Sequence, residues 1–405
     1  MLFVGVDWAE AHHDVCVIND EGRVLGRKKV NDTLEGVREL HALLATCTED
    51  ETPEIVVGIE KDRGLVVNAL VAAGYEVYAV NPMAAARYRD RHHVSGAKSD
   101  PGDAKMLADL VRTDRHNHRT IAGDTPLAEA LKVLARAHQN AVWSRQRHVN
   151  ELRSSLRDYF PGALEAFGND LSHHDAVAVL AIAPTPSLAR GLSKAKLVSA
   201  LKRGGRKRRL EERALELQEI LRREQLAQPP LLERAYGLTT SATVAIVVAM
   251  NATIDELEAG LAEHFEQHSD AKIIRSLPGL GMILGARVLG EFGDDPNRYA
   301  DSKSRRNYAG TSPVTKSSGT KKVVLARRAR NRRLAAATDQ WAFSSLLQSP
   351  GARHYYDELR ARNKSHHMAL RQLANRWVSI LHTCLERGIL YDEYVAWPQV
   401  TDKAA

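Results

Sequence analysis

Two short apolar runs in the first sixty residues each end on a carboxylate, and this constrains the chain more than any other feature. Leu2-Phe3-Val4-Gly5-Val6 is closed by Asp7, and Ile55-Val56-Val57-Gly58-Ile59 is closed by Glu60. Short unbroken apolar runs with polar ends are the mark of strands buried on both faces of a sheet. A third acidic element lies in Lys98-Ser99-Asp100-Pro101-Gly102-Asp103-Ala104, which runs into the helix Lys105-Met106-Leu107-Ala108. Asp100 and Asp103, three residues apart, share one face of that helix. Carboxylates at adjacent strand ends, joined by an acidic pair on a helix, can hold two hard divalent cations around a phosphodiester. That is nuclease-type chemistry. Taken singly, each residue has a plainer explanation: Asp7 as a strand-end turn residue, Asp100 as a helix N-cap ahead of Pro101.

The neighbouring segments fit an α/β sheet. Leu2–Asp7, Asp14–Ile18 and Arg23–Val30 read as strands, with the turn Asn19-Asp20-Glu21-Gly22 between the last two. A helix follows over about Thr33–Ala45, then the strand Glu54–Ile59, a helix near Gly64–Ala73, and the strand Glu76–Val80 before the break at Asn81-Pro82. Three strands with hairpin turns, then alternating helix and strand, is the order of a ribonuclease-H-like domain. Sugar kinases begin similarly but need a glycine-rich phosphate loop after the first strand, and Asp7-Trp8-Ala9-Glu10 is not one. Trp8 falls on the opposite strand face from Asp7 and is expected in the core, as are Trp341 and Trp377.

The remainder is expected to be helical. Pro126–Tyr159 reads as one long helix, Leu192–Leu226 contains another, and a third spans about Thr253–Leu277. Breaks fall at Pro184-Thr185-Pro186, Gly204-Gly205 and Gln228-Pro229-Pro230. This middle is read as a helical hairpin or coiled-coil stalk, a spacer or a dimer interface. Leu277-Pro278-Gly279-Leu280-Gly281 opens the helix Ile283–Phe292, an arrangement that either grips a phosphate through backbone amides or serves as a structural turn. Helix is expected again from about Gln340 to Gly388.

Charge is unevenly distributed. The 405 residues, enough for two or three domains, carry a net charge of +7. From Ser302 to Thr338 there is no acidic residue, while Lys316, Lys321, Lys322, Arg327, Arg328, Arg330, Arg332 and Arg333 accumulate. A one-signed stretch repels itself unless a polyanion neutralises it, so nucleic acid is the expected partner. The Arg206-Lys207-Arg208-Arg209 cluster is followed by Glu211 and Glu212 and reads as a solvated face. The longest apolar stretch, near Ala242–Met250, is about half of what a bilayer helix needs, so no membrane is expected as a partner. No signal-peptide pattern opens the chain, and the expected location is the cytoplasm or nucleoid. Cys16, Cys47 and Cys384 show no metal or disulfide spacing. The histidine doublets, His12-His13 among them, lack ligand spacing and are expected as surface or RNA-facing residues.

Several motifs, in order, resemble the DEDD transposases of bacterial insertion sequences, relatives of Piv-type DNA invertases and described as bridge-RNA-guided recombinases. They are Gly5-Val6-Asp7, Gly58-Ile59-Glu60, the Lys98–Ala108 segment, Leu277-Pro278-Gly279-Leu280-Gly281, Tyr308-Ala309-Gly310 with Pro313, Ser318-Gly319, and Arg330-Asn331-Arg332-Arg333-Leu334. The resemblance covers both ends of the chain and thins between about Thr125 and Asp270. It departs at Lys61-Asp62-Arg63-Gly64, where Ala-Thr-Gly is common, and at Thr311, where leucine is usual.

The resemblance implies an α/β RuvC-like (ribonuclease-H-like) DEDD domain over 1–125 and a helical, coiled-coil region over 126–270. A mainly helical C-terminal transposase domain over 271–395 and a tail over 396–405 would complete the chain. It implies Mg²⁺, as two ions for which Mn²⁺ can substitute, held by Asp7, Glu60, Asp100 and Asp103. Ser318 would be the nucleophile, with donor and target DNA and a structured guide RNA as partners. The protein would assemble as a homo-oligomer, dimer or tetramer, with the site shared between protomers. Ser317 is adjacent and Ser312 a distant third.

A serine hydroxyl needs a base or a metal to lose its proton near neutral pH. No histidine is near Ser318, so metal activation is the economical expectation. Two other readings stay open on sequence alone. One is a hydrolytic or junction-resolving nuclease, in which water attacks; the other is a nucleic-acid-binding protein with no activity.

Overall fold

The computed structural model describes residues 1–398 except Glu49, Glu51, Thr52, residues 93–98, Ala122, Thr320 and Ala329. Lys98 of the acidic segment, His93 and most of the C-terminal tail therefore lie outside the described residues. The chain packs as two compact units, residues 1–125 with 295–300, and residues 126–294 with those from 301 onward.

The first unit is mixed α/β. Its elements are β1 (Leu2–Trp8), β2 (His12–Ile18), β3 (Val24–Asn31), α1 (Leu34–Thr46), β4 (Ile55–Ile59), α2 (Leu65–Ala72), β5 (Glu76–Ala79), α3 (Pro82–His92), α4 (Asp100–Asp114) and β6 (Arg119–Thr120). The sheet runs β3-β2-β1-β4-β5-β6. β1 pairs in parallel with β4, and β4 with β5, while the outer pairings are antiparallel. Strand alternation sorts the apolar side chains into two layers. Val4, Val6, Val15, Val17, Val57 and Ile59 form one core with Leu40, Leu44 and Leu70 of α1 and α2. Phe3, Cys16, Ile18 and Val56 face the other way, onto Ala104, Leu107, Ala108 and Val111 of α4.

Gly5 and Gly58 explain how α4 comes to lie on the sheet. A Cβ on Gly5 would meet the Ala104 carbonyl oxygen at 1.8 Å, and one on Gly58 would meet the Leu107 carbonyl oxygen at 2.8 Å. Both glycines sit on the α4 face of their strands, two residues before Asp7 and Glu60, so the helix backbone rests directly on the strands that carry the carboxylates. Gly5→Ala is expected to lift α4, at a cost of roughly 1–3 kcal/mol or more, and to weaken divalent-cation binding. A thermal melt and a metal titration check this; wild-type values in both would show that α4 does not depend on Gly5. Ser99, and not Asp100, is the N-cap residue of α4, with Asp100 as its first helical residue and Pro101 following.

The second unit is helical apart from one hairpin. It comprises α5 (Pro126–Tyr159), α6 (Pro161–Phe167), α7 (His174–Ile182), α8 (Pro186–Arg190), α9 (Lys194–Arg203), α10 (Leu210–Arg222) and α11 (Pro230–Gln267). Then come α12 (Ala271–Ser276), α13 (Met282–Phe292), α14 (Ser302–Ala309), β7 (Val314–Ser318), β8 (Lys321–Leu325), α15 (Arg332–Ser345), α16 (Pro350–Ala361), α17 (His366–Arg387) and α18 (Glu393–Ala396). Three boundaries differ from the sequence expectation. Leu192–Leu226 holds two helices, because Gly204 and Gly205 stop α9. The helix expected from Thr253 begins at Pro230, since its Thr- and Ser-bearing first half is helical too, and it stops at His268. The C-terminal segment expected to be helical from about Gln340 to Gly388 begins earlier, at Arg332, and comprises three helices, separated at Ser349-Pro350 and near Asn363, which sits at φ 58.

By length and composition α11 is apolar enough to cross a membrane, with an 18-residue window of mean hydropathy 1.5. The sequence expectation missed this because threonines and serines interrupt the apolar run without adding charge. A third of that window is buried, and Thr240 within it accepts a 2.7 Å hydrogen bond from the Tyr159 hydroxyl. α11 packs along α5, with Leu231, Leu238, Ile246 and Val248 left exposed on its other side. At the other end of this unit Trp341 and Trp377 stack at 5.5 Å, both fully buried. Their indole N–H groups donate to the Pro278 carbonyl and to Ser345 Oγ, so neither leaves a buried donor unpaired.

Candidate active site

At the carboxyl end of β1 and β4 the four acidic residues converge. Ile59 pairs with Val6, so Glu60 emerges beside Asp7, and α4 brings down Asp100 and Asp103 from the face on which Gly5 and Gly58 make room. The Asp7 carboxyl is pushed up to about 6, first by burial and then by the negative charges of Asp103, Glu60, Asp100 and Asp14. Carboxylates this close disfavour each other's ionised form. Asp103 is 6% exposed and its Oδ1 lies 2.7 Å from Arg89 Nη2 of α3. Asp62, the spare carboxylate after Glu60, is exposed.

Two residues join this cluster that sequence reasoning passed over. Asp14 pairs directly with Asp7 across the β1–β2 ladder. His12, two residues earlier, shares the Asp14 face, and ligand atoms of His12, Asp14 and Asp100 lie within 4.8 Å of one another. His12 is therefore not the undifferentiated surface histidine expected, and His13 is fully buried beside Asp32. The period-two run His12-Asp14-Cys16-Ile18 was visible in sequence, but its register against β1 was not. Trp8 is 37% exposed, not core, and Lys61 Nζ stands 3.4 Å from its ring centroid as a cation–π contact. β1 here runs past its last partner in β4, Ile59 against Val6, so the ring lies at the end of the sheet, covered in part by His13 and Lys61.

This donor set fits a hard divalent cation. Its ligands are carboxylate oxygens with one imidazole at the margin, and a cation would relieve the mutual repulsion that raises Asp7. It would also compete with Arg89 for Asp103.

In the second unit Ser318 is the last residue of β7, followed by Gly319 at φ +56. Ser318 pairs with Lys321 and Ser317 with Lys322, so the two serines point to opposite faces of the hairpin. Lys316 shares the Ser318 face. Both serines are exposed, and among the described residues no side chain hydrogen-bonds the Ser318 hydroxyl. Ser312, by contrast, is 9% exposed and donates to Asn375 Oδ1. Ser318-Gly319 thus closes a strand and opens the turn of a hairpin.

The basic residues divide by what they touch. Lys316, Lys322, Arg328, Arg330 and Arg332 are exposed, and Lys321 opens β8. Arg327 donates to Asn307 Oδ1 at 3.0 Å. Arg333 donates to Asn140 Oδ1 at 2.8 Å and lies 5.4 Å from the Trp143 ring centroid. Asn331 caps α15, and its amide donates to Glu291 Oε2 at 2.6 Å. Burial pushes Glu291 up, but hydrogen bonds from Arg136 and Asn331 outweigh it and hold its carboxyl below the ordinary value. Gly310, at φ +74, faces the Arg330 side chain, which a Cβ would strike at 2.3 Å. Tyr308-Ala309-Gly310 and Arg330–Leu334, distant in sequence, are two sides of one packed junction. The turn at Pro278-Gly279 is likewise structural. Gly279 N–H donates to Gln348 Oε1, and a Cβ there would meet the Ser345 backbone at 2.8 Å.

Comparison with known proteins fixes the class. Residues 4–161 match a family described as transposase, and residues 271–357 match the transposase IS116/IS110/IS902 family. The mini-circle IS117 transposase of Streptomyces coelicolor is 43% identical over 407 residues, 100% of this chain and 98% of the relative. The 42 kDa protein of insertion element IS900 from Mycobacterium paratuberculosis is 28% identical over 100% of this chain and 99% of its own length. The 43.6 kDa protein of IS110 from S. coelicolor is 26% identical over 96% and 95%. The chain is a DNA transposase. It belongs to the IS116/IS110/IS902 family of insertion-sequence transposases.

Proposed function

We propose that this transposase cuts and rejoins DNA through a covalent phosphoserine intermediate formed by Ser318. Its first unit would act as the RuvC-like domain, and Asp7, Glu60, Asp100 and Asp103 would hold Mg²⁺. The observation that carries the reading is the convergence of four carboxylates on Asp7, an arrangement costly to keep unless a cation binds there. Asp14 and His12 stand ready as additional ligands, and the imidazole makes Mn²⁺ a natural substitute.

Bound Mg²⁺ would supply charge neutralisation for the attacking and leaving oxygens of an in-line displacement. The residues of the chain do the rest. Ser318 Oγ forms a bond to phosphorus while one phosphorus–deoxyribose oxygen bond breaks. The hydroxyl proton passes to a tetrad carboxylate, and the released sugar oxygen takes up a proton. Because the ester is conserved on the serine, a second DNA end can reverse the step without an external energy source. Lys316, on the Ser318 face of β7, would hold the scissile phosphate. The exposed Arg328, Arg330 and Arg332 would bind a structured guide RNA or the DNA it pairs with. Assembly as a homo-oligomer, with Ser318 of one protomer serving carboxylates of another, accords with a nucleophile that has no base on its own hairpin.

The test is to incubate the protein, with RNA transcribed from the element, with labelled element-junction DNA and Mg²⁺, and to denature the mixture. A labelled protein–DNA adduct that EDTA abolishes is expected. Metal-dependent cleavage without an adduct would sink the serine mechanism and leave a hydrolytic nuclease.

A further inference from the structure

Behind the basic run the second unit forms an open recess of about 690 Å³ that the catalytic reading does not use. It is lined by Arg327, Arg328, Arg330, Arg332 and, from α17, Arg371, with Trp143 of α5 at its edge. We propose that this recess receives one unstacked nucleotide of a single-stranded segment, its phosphate held by the arginines and its base stacked on Trp143. The inference rests on the DNA-processing reading above and names what part of the nucleic acid the basic region takes.

Three observations support it. The recess holds five guanidiniums against one carboxylate, Asp339. Arg328, Arg332 and Arg371 make no ion pair among the described residues, so the field there remains open to an anion. Guanidinium forks match phosphate oxygens in pairs, which a lysine cannot do. Trp143 is 39% exposed, and Arg333 sits over its ring while being anchored to Arg136 O and Asn140. A large aromatic held in place by a guanidinium is a platform for any base, because every base has a π face. Finally, the volume suits one nucleotide and the shape is concave. A duplex presents paired bases inside its stack and could lay only its backbone across the rim, whereas an unpaired nucleotide can enter.

The test uses the full-length protein and labelled oligonucleotides of about twelve nucleotides, the length of a typical single-strand site. Binding of oligo(dT), oligo(U) and a duplex is followed by fluorescence anisotropy for wild type, Trp143→Ala, Trp143→Phe and Arg371→Ala. Trp143→Ala and Arg371→Ala are expected to lower the ratio of single-strand to duplex affinity about tenfold. Trp143→Phe should retain most of it, because phenylalanine still stacks. A preference for oligo(U) would identify RNA as the source of the nucleotide, a preference for oligo(dT) the displaced DNA strand, and equal binding a site open to either. Equal weakening of single-strand and duplex binding would overturn the proposal, since it would mean a general electrostatic surface. So would an unchanged ratio in both alanine variants. Melting curves establish that each variant is folded. Loss of the adduct reaction with this ratio intact would count against the serine mechanism and leave the pocket standing.

Discussion

Ser318→Ala is expected to abolish the covalent protein–DNA adduct, a fall of roughly 10⁴-fold or more in its rate of formation, as for removal of other enzymic nucleophiles. The residue is exposed at the end of β7, and its hydroxyl has no hydrogen-bond partner among the described side chains, so the hairpin gains little stability from it. The variant should therefore melt like the wild type. Ser317→Ala makes the sharper comparison. Ser317 lies one residue away on the opposite face of the same strand, and its loss should change adduct formation by less than about threefold if position on the hairpin decides reactivity. Denaturing electrophoresis of labelled junction DNA reads both. A wild-type adduct yield from Ser318→Ala, with loss in Ser317→Ala, would transfer the role to Ser317. Retention in both would remove serine from the mechanism.

Asp7→Asn should abolish strand cleavage, by roughly 10³-fold or more, yet make the metal-free protein more stable at neutral pH. The reason is the raised carboxyl. Asp7 titrates near 6 in the folded protein and near 3.8 when unfolded. Between those values the folded state binds more protons, so stability falls as pH rises from about 4 to 6, and the penalty is complete above that window. Asparagine carries no charge and escapes it. In EDTA at pH 7.5 the variant should melt a few degrees above wild type; near pH 4 the two should coincide. The side chain is only partly buried, so solvent screening keeps the gain modest. Adding Mg²⁺ at pH 7.5 should reverse the order, stabilising wild type by binding and the variant much less. A variant less stable than wild type in EDTA at pH 7.5 would show that Asp7 is not strained by its neighbours. Metal-supported cleavage by Asp7→Asn would remove it from the site.

Much of the first unit was readable along the chain. Apolar runs of five residues can bury themselves only as central strands, and the spacing of Leu40 and Leu44 on α1 follows a helical period. Strand boundaries accordingly fall within a residue or two of those expected. The hairpin over Val314–Leu325 was not readable, because β7 is Val-Thr-Lys-Ser-Ser, an exposed strand with no apolar alternation to mark it. Nor was the full length of α11, where threonine and serine, poor helix formers in isolation, are carried by packing along α5. Trp8 was misplaced because strand period gives the face of a residue but not whether anything covers that face.

What the sequence determined by itself is local: which segments become strands and helices, and that Asp7, Glu60, Asp100 and Asp103 occupy their ends. Those outcomes depend on hydrophobic period and on residues adjacent in the chain. The tertiary structure alone decided which of those ends meet. Asp14 opposes Asp7 through strand register, and α4 reaches the carboxylates because two glycines let it lie on the backbone of the sheet. Arg371 and Trp143, more than two hundred residues apart, line one recess. Such contacts are set by packing between elements distant along the chain, and no periodicity in the sequence encodes them.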